Sequence, residues 1–220
     1  MPQQSHFQPR GAFRRLGAGL YAITDGPRDD LLPVARAALE GGATLLQYRD
    51  KTRDGARRLR EAQALADLCA SFRIPLIVND DVELARASGA SGVHLGEDDG
   101  AVSSARASLG DGAIVGMSCY DSLDRARAAA AEGADYLAFG AFFPSTTKPG
   151  ARRATPDLLR KARAFARPVV AIGGITAENG GSLIAAGADF LAVVSGIFAA
   201  GDVRAAAKRY AELFDADQNA

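Results

Sequence analysis

The chain has 220 residues, 48% apolar and 24% charged, with 26 basic side chains balanced by 26 acidic ones. That length and mix suit one soluble globular domain with a large core, and zero formal charge provides no broad positive field for nucleic acid or anionic lipid. No apolar run is long enough to cross a bilayer, and two distant cysteines, Cys69 and Cys119, fit a reduced cytoplasmic setting better than a disulfide framework.

Residues 1–18 carry Arg10, Arg14 and Arg15 without an acid and lack the apolar centre of a secretory signal. They read as a disordered tail before a domain over 19–214, with a second short tail over 215–220. Apolar runs of strand length follow at 20–23, 44–48, 76–78, 92–95, 113–116, 136–139, 169–172 and 190–194. Between them lie Ala-, Leu- and Arg-rich stretches with helical spacing, at 29–40, 54–72, 81–88, 101–109, 122–132, 156–166, 177–186 and 203–213. Asp54, Asp121 and Thr155 are expected helix N-caps.

One device recurs. Glu40-Gly41-Gly42-Ala43, Ser88-Gly89-Ala90, Glu132-Gly133-Ala134 and Ala186-Gly187-Ala188 each end a helix and lead straight into a strand. Glycine suits the left-handed residue that closes a helix, and a small following alanine lets the strand pack close. Alternating strand and helix units of this kind predict a closed (β/α)₈ TIM barrel, an α/β fold in a single domain. A doubly wound open sheet is the alternative, but no G-x-G-x-x-G follows the first strand.

In such a barrel the site lies just beyond the strands' C-terminal ends. Asn79-Asp80 follows the third strand and Asp98-Asp99 the fourth, so Asp80 and Asp99 are expected side by side. Two neighbouring carboxylates need a proton or a cation between them, and their hard oxygens suit Mg²⁺. Asp81 and Asp98 read as capping or supporting residues that could exchange roles with their neighbours; Asp25 reads as a supporting charge and Asp50 as a rim residue. Gln47, Arg49 and Lys51 alternate out of the second strand and can face one anion, as a neutral donor, a planar fork and a point charge.

Gly173-Gly174 and Ser195-Gly196 follow the seventh and eighth strands, where barrels of this kind bind phosphate through backbone N–H groups. Residues 143–150 begin a long connection with hydroxyls and Lys148 that can close over a ligand. His94 reads as a barrel-core histidine rather than a Mg²⁺ ligand, and Cys119 as a buried inert thiol.

The segments 21–25 (YAITD), 47–51 (QYRDK), 78–80 (VND), 94–99 (HLGEDD), 143–148 (FPSTTK), 171–175 (AIGGI) and 193–197 (VVSGI) resemble, in order, the motif series of the thiamine-phosphate synthases. The resemblance implies a Mg²⁺-dependent transferase of thiamine biosynthesis. Such an enzyme condenses 4-amino-5-hydroxymethyl-2-methylpyrimidine diphosphate with 4-methyl-5-(2-phosphooxyethyl)thiazole, giving thiamine phosphate and diphosphate. It implies Asp80 and Asp99 as metal ligands. Gln47, Arg49, Lys51, Asn79 and Lys148 would contact the diphosphate, and Ser118 the pyrimidine or diphosphate. Ser145, Thr147, Gly174, Val194 and Ser195 would hold the thiazole phosphate.

By the same resemblance Arg49, Lys51, Ser118 and Lys148 carry the catalysis, and the partners are small molecules rather than nucleic acid or membrane, with a homo-oligomer left open. The chain departs from the pattern at Glu97 (usually Gln), Tyr120 (usually His), Ser145 (usually Thr) and Gly196 (usually Ala). A thiazole tautomerase on the same fold would depend on a histidine near position 120, and Tyr120 argues against it. A non-catalytic phosphate-ligand sensor would have no use for both carboxylates and three cations.

Overall fold

Each expected apolar run forms a strand in the computed structural model, which describes Phe13 and residues 16–144 and 152–217. The strands are β1 (Gly19–Ile23), β2 (Ala43–Tyr48), β3 (Leu76–Asn79), β4 (Gly92–Leu95), β5 (Ile114–Tyr120), β6 (Tyr136–Phe139), β7 (Val169–Ile172) and β8 (Phe190–Val193). Each pairs in parallel with its chain neighbours, and β8 returns to β1 to close the barrel. The helices are α1 (Leu31–Glu40), α2 (Gly55–Phe72), α3 (Val82–Ser88), α4 (Val102–Leu109), α5 (Leu123–Ala131), α6 (Pro156–Ala162), α7 (Gly180–Ala185), α8 (Ser195–Phe198) and α9 (Val203–Asp217). The open-sheet alternative is excluded.

The recurring glycines do what their positions ask: Gly42, Gly89, Gly133 and Gly187 all have positive φ, between 72° and 105°. Such backbone costs L-residues with a Cβ roughly 1–2 kcal/mol. Strand alternation divides the apolar residues into two clusters. Leu20, Ala22, Leu46, Tyr48, Val78 and Val93 face outward into the layer between strands and helices. Tyr21, Ile23, Leu45, Ile77, Ile114, Tyr136, Ala138, Val170, Phe190 and Ala192 fill the interior.

Phe13, from the stretch read as a tail, belongs to the interior cluster and is only 2% exposed. Its ring lies 5.7 Å from Phe190, the first residue of β8, and 5.6 Å from Tyr136, so it closes the mouth opposite the strands' C-terminal ends.

Several boundaries differ from expectation. β5 runs on to Tyr120, with a register irregularity between Ser118 and Tyr120. Ser122, not Asp121, caps α5, accepting from the Arg125 N–H. Thr155 precedes α6 without a side-chain cap, whereas Asp54 caps α2 by accepting from the Arg57 N–H. α7 begins three residues later than its composition suggests, because Asn179 is engaged in a turn with Thr176. α9 extends past the expected limit of 214 to Asp217.

Candidate active site

A cavity of about 800 Å³ opens at the C-terminal ends of the strands. Gln47, Arg49, Lys51, Asn79, Asp80, Asp99, Ser118, Gly174, Val194 and Ser195 all line it. These ten positions, drawn from six strands' ends, thus share one chamber.

One corner is acidic. Asp80 follows β3 with φ 63°, a left-handed conformation that Asp tolerates better than most residues, and its N–H donates to the His94 carbonyl at 2.8 Å. This turn sets the Asp80 carboxylate within hydrogen-bonding reach of Asp99. Burial first, then the Asp80 hydrogen bond, raises the Asp99 carboxyl above its ordinary value, while the Gly96 N–H at 2.8 Å and the charge of Lys51 oppose that rise. Lys51 Nζ lies 3.3 Å from Asp80 Oδ2. Asp81 caps α3 through the Leu84 N–H and pairs with Arg58 at 3.0 Å, so it is spent on structure.

The loop leaving β2 is held from two sides. The buried Thr24 hydroxyl accepts from the Arg49 N–H at 2.8 Å and donates to the Arg49 carbonyl at 3.2 Å. Asp50 proves to be buried rather than a rim residue, because Arg57, in the first turn of α2, reaches back to it at 2.6 Å. The same carboxylate accepts from the Thr52 N–H at 2.8 Å. Arg49 and Lys51 are thus aimed by anchors on each side.

The opposite wall is built from backbone. The Phe142 and Phe143 N–H groups donate to the Ile172 and Gly173 carbonyls at 3.2 and 3.0 Å, binding the start of the β6–α6 connection to the end of β7. Gly174 has φ 63°, and a Cβ there would lie 2.3 Å from the Pro144 carbonyl oxygen. Gly174→Ala is therefore expected to cost about 2 kcal/mol in urea denaturation, since rigid backbone leaves no room to yield. A loss below about 0.5 kcal/mol would mean that the two loops part without strain. Asn179 secures the far side, donating to the Gly174 carbonyl at 3.1 Å. α8, a single turn too short to show a period in sequence, begins at Ser195.

The rim carries the unusual residues. Glu97 pairs with Arg125 and, at 3.1 Å, with Arg152, and both guanidinium groups lie over the Tyr120 ring, Arg152 at 5.2 Å and Arg125 at 5.8 Å. Glu97 therefore does not join the acidic corner but ties the β4 loop to the far end of the β6–α6 connection. Glu97, Tyr120 and Arg152 form one unit, which accounts for the two sequence departures together.

A polar chain crosses the barrel interior. Gln47 Nε2 donates to the Tyr21 hydroxyl at 2.6 Å, the Tyr21 and Tyr136 hydroxyls meet at 2.9 Å, Tyr136 Oη meets His94 Nδ1 at 3.0 Å, and His94 Nε2 meets Ser118 Oγ at 2.9 Å. Both His94 nitrogens are thus engaged, and burial pushes its pKa down to about 4. Cys119 is buried, free and pushed up to about 12 by that burial, so it is no nucleophile.

A family model described as thiamine monophosphate synthase matches residues 20–197, nearly the whole barrel. The chain belongs to that family. A relative from Thiobacillus denitrificans named thiamine-phosphate synthase is 55% identical over 207 residues, covering 93% of this chain and 98% of that protein. Another of the same name, from Methylobacillus flagellatus, is 52% identical over 199 residues, covering 90% of this chain and 95% of that protein. The solved thiamine phosphate pyrophosphorylase from Pyrococcus furiosus is 34% identical and superposes with a TM-score of 0.82, covering 90% of this chain and 96% of that one.

Within this thiamine monophosphate synthase barrel, Ser145, Thr147 and Lys148 lie outside the described residues. Sequence reasoning missed Tyr21, Tyr136, Arg57 and Arg152 as supports of the site. Tyr21 and Tyr136 sit at inward positions of apolar strands, where a buried hydroxyl needs a partner that the local sequence does not show.

Proposed function

We propose that this chain catalyses the thiamine-phosphate synthase reaction, joining the aminopyrimidine methylene carbon to the thiazole nitrogen with release of diphosphate. The observation that carries the reading is the acidic pair Asp80 and Asp99 with Lys51 at one end of a cavity whose far wall is the Gly173-Gly174 turn and the start of α8. Two anion-holding ends in one chamber suit a reaction between two phosphorylated substrates.

The pyrimidine methylene–oxygen bond breaks first, its electron pair leaving with the diphosphate. The thiazole nitrogen lone pair then attacks the ring-stabilised carbocation. Arg49 and Lys51, with Lys148 by family resemblance, hold diphosphate oxygens whose charge grows as the bond breaks, so they stabilise the transition state more than the ground state. Asn79 adds a neutral donor, and Ser145, Thr147, Gly174, Val194 and Ser195 hold the thiazole phosphate. Neither step requires a general base.

Asp80 and Asp99 fit a magnesium ion: both are hard oxygen donors brought together by adjacent strands. Among the described residues no group of three or more His, Cys, Asp or Glu side chains makes a complete cage. Two carboxylates completed by water and substrate oxygens suit Mg²⁺, which keeps much of its own hydration. When bound, the ion supplies positive charge to the departing diphosphate.

Among the described residues no helix is long and apolar enough to cross a membrane, and Cys69 and Cys119 are both free and buried, which supports a cytoplasmic setting. Purified protein is expected to release diphosphate only with both substrates and Mg²⁺, and to stop on chelation. Metal-independent isomerisation of the thiazole substrate instead would overturn this reading in favour of a tautomerase.

A further inference from the structure

We propose that Glu97, Arg125, Arg152 and Tyr120 are positioning residues for Asp99: the two guanidinium groups, seated on the tyrosine ring, grip Glu97 and so hold the exposed turn that presents Asp99 to magnesium. The inference rests on the magnesium site proposed above and concerns how that site is kept in shape.

The two carboxylates of the acidic corner are supported unequally. Asp80 is the first residue past β3, and its own backbone is tied down, its N–H donating to the His94 carbonyl at 2.8 Å. Asp99 stands four residues past β4, in a turn whose residues 97–100 are all exposed. Within that turn the Gly96 N–H donates to Asp99 Oδ2 at 2.8 Å, and at Gly100, with φ 103°, a Cβ would meet nothing within 4 Å. A short open loop samples several backbone arrangements unless something outside it restrains it.

Glu97 supplies that restraint. Its carboxylate takes Arg125 on one oxygen and Arg152, at 3.1 Å, on the other. Each arginine comes from backbone that is itself fixed. Arg125 lies in the first turn of α5, its N–H donating to Ser122 Oγ at 3.2 Å. The Arg152 carbonyl accepts from the Ala141 N–H at 2.9 Å, and the Ala154 N–H donates to the Ala141 carbonyl at 3.0 Å, which pins this stretch to the chain leaving β6. Tyr120 orders the two cations over its ring, 5.2 Å from Arg152 and 5.8 Å from Arg125. Its hydroxyl stands beside the same turn: a Cβ at Gly96 would lie 3.7 Å from that oxygen and 2.6 Å from Asp99 Oδ2. A lone exposed ion pair contributes little, but two planar forks closing on one carboxylate over an aromatic face form a network.

Position and charge pull in opposite directions here. Arg125 and Arg152 are cations close to a site for a cation, so by Coulomb's law alone removing either one tightens metal binding. Acting through the shape of the turn, removing either one weakens it. The sign of the change therefore separates a positioning role from a purely electrostatic one.

The test uses the full chain without substrates. Mn²⁺, a paramagnetic stand-in for Mg²⁺, is titrated by electron paramagnetic resonance into wild type, Arg152→Gln, Asp99→Asn and the double variant. Arg152→Gln is expected to bind Mn²⁺ about fivefold more weakly than wild type, and Arg152→Lys to recover most of that loss. In the Asp99→Asn background Arg152→Gln is expected to cost nothing further, because the ligand through which it acts is already gone. Unchanged or tighter binding by Arg152→Gln overturns the proposal, as does an equal loss in both backgrounds or a wild type that takes up no Mn²⁺. Should Arg152→Gln fail to fold in a thermal melt, Arg125→Gln opens the grip from its other side and is held to the same result. Failure of the synthase reading is seen separately, as no thiamine phosphate from the wild type with Mg²⁺.

Discussion

Asp99→Asn is expected to lower kcat for thiamine phosphate formation about 10³-fold and to weaken the response to added Mg²⁺. The substituted amide keeps an oxygen for the Gly96 N–H, which Asp99 now accepts at 2.8 Å, so the β4 loop should stay in place. What is lost is charge at the point where the leaving diphosphate gathers its own. Asp80→Asn should behave alike, since Asn also tolerates the φ of 63° at that position. Asp80→Ala is the poorer probe, because a left-handed alanine adds roughly 1–2 kcal/mol of backbone strain to the loss of the ligand. Steady-state rates across a Mg²⁺ titration, with thermal melts as control, decide the matter. Near-normal turnover in either asparagine variant would remove that carboxylate from the metal site.

The largest effect on stability is expected far from the chemistry. Phe13→Ala should cost about 3–5 kcal/mol in urea denaturation, as for other large aromatic rings cut from a core. The ring is 2% exposed and sits against Tyr136 and Phe190, so its removal leaves a hole at the closed end of the barrel. A change below about 1 kcal/mol would mean that the interior is sealed without it. Because Phe13 and His94 flank the same tyrosine, the variant also asks whether the lower packing layer supports the polar thread above it.

The eight strands were legible because buried parallel strands are continuous apolar runs, and the helix-ending glycines marked their starts. The placement of Asp80 beside Asp99 followed from parallel strand ends alone. The inward phase of Gln47 and Arg49 was legible for the same reason: alternation survives where a strand leaves the sheet. β5 was cut short at Gly116 because Ser118 and Tyr120 interrupt its apolar run, yet pairing with β4 carries it to Met117 and pairing with β6 to Tyr120. A strand facing a polar cavity has no reason to stay apolar.

Other features depend on partners distant in the chain, which one sequence does not display. Tyr21 and Tyr136 meet across 115 residues, and nothing local distinguishes their hydroxyls from those of any strand tyrosine. Asp50 looked like a rim residue because the arginine that buries it lies beyond the loop, in the first turn of the next helix. Glu97 is close in sequence to Asp99, but the cations of Arg125 and Arg152, distant in the chain, hold it at the rim.

The left-handed turn at Asp80 makes one letter of the chain answer two unrelated demands. Glycine would satisfy the backbone but offers no oxygen, asparagine would satisfy it but carries no charge, and glutamate restores the charge at the expense of the turn. A lineage drifting away from this chemistry is thus free to lose position 80 early while its barrel persists. Among barrels of this shape whose activity is unmeasured, the residue one step beyond the third strand is the economical place to look first.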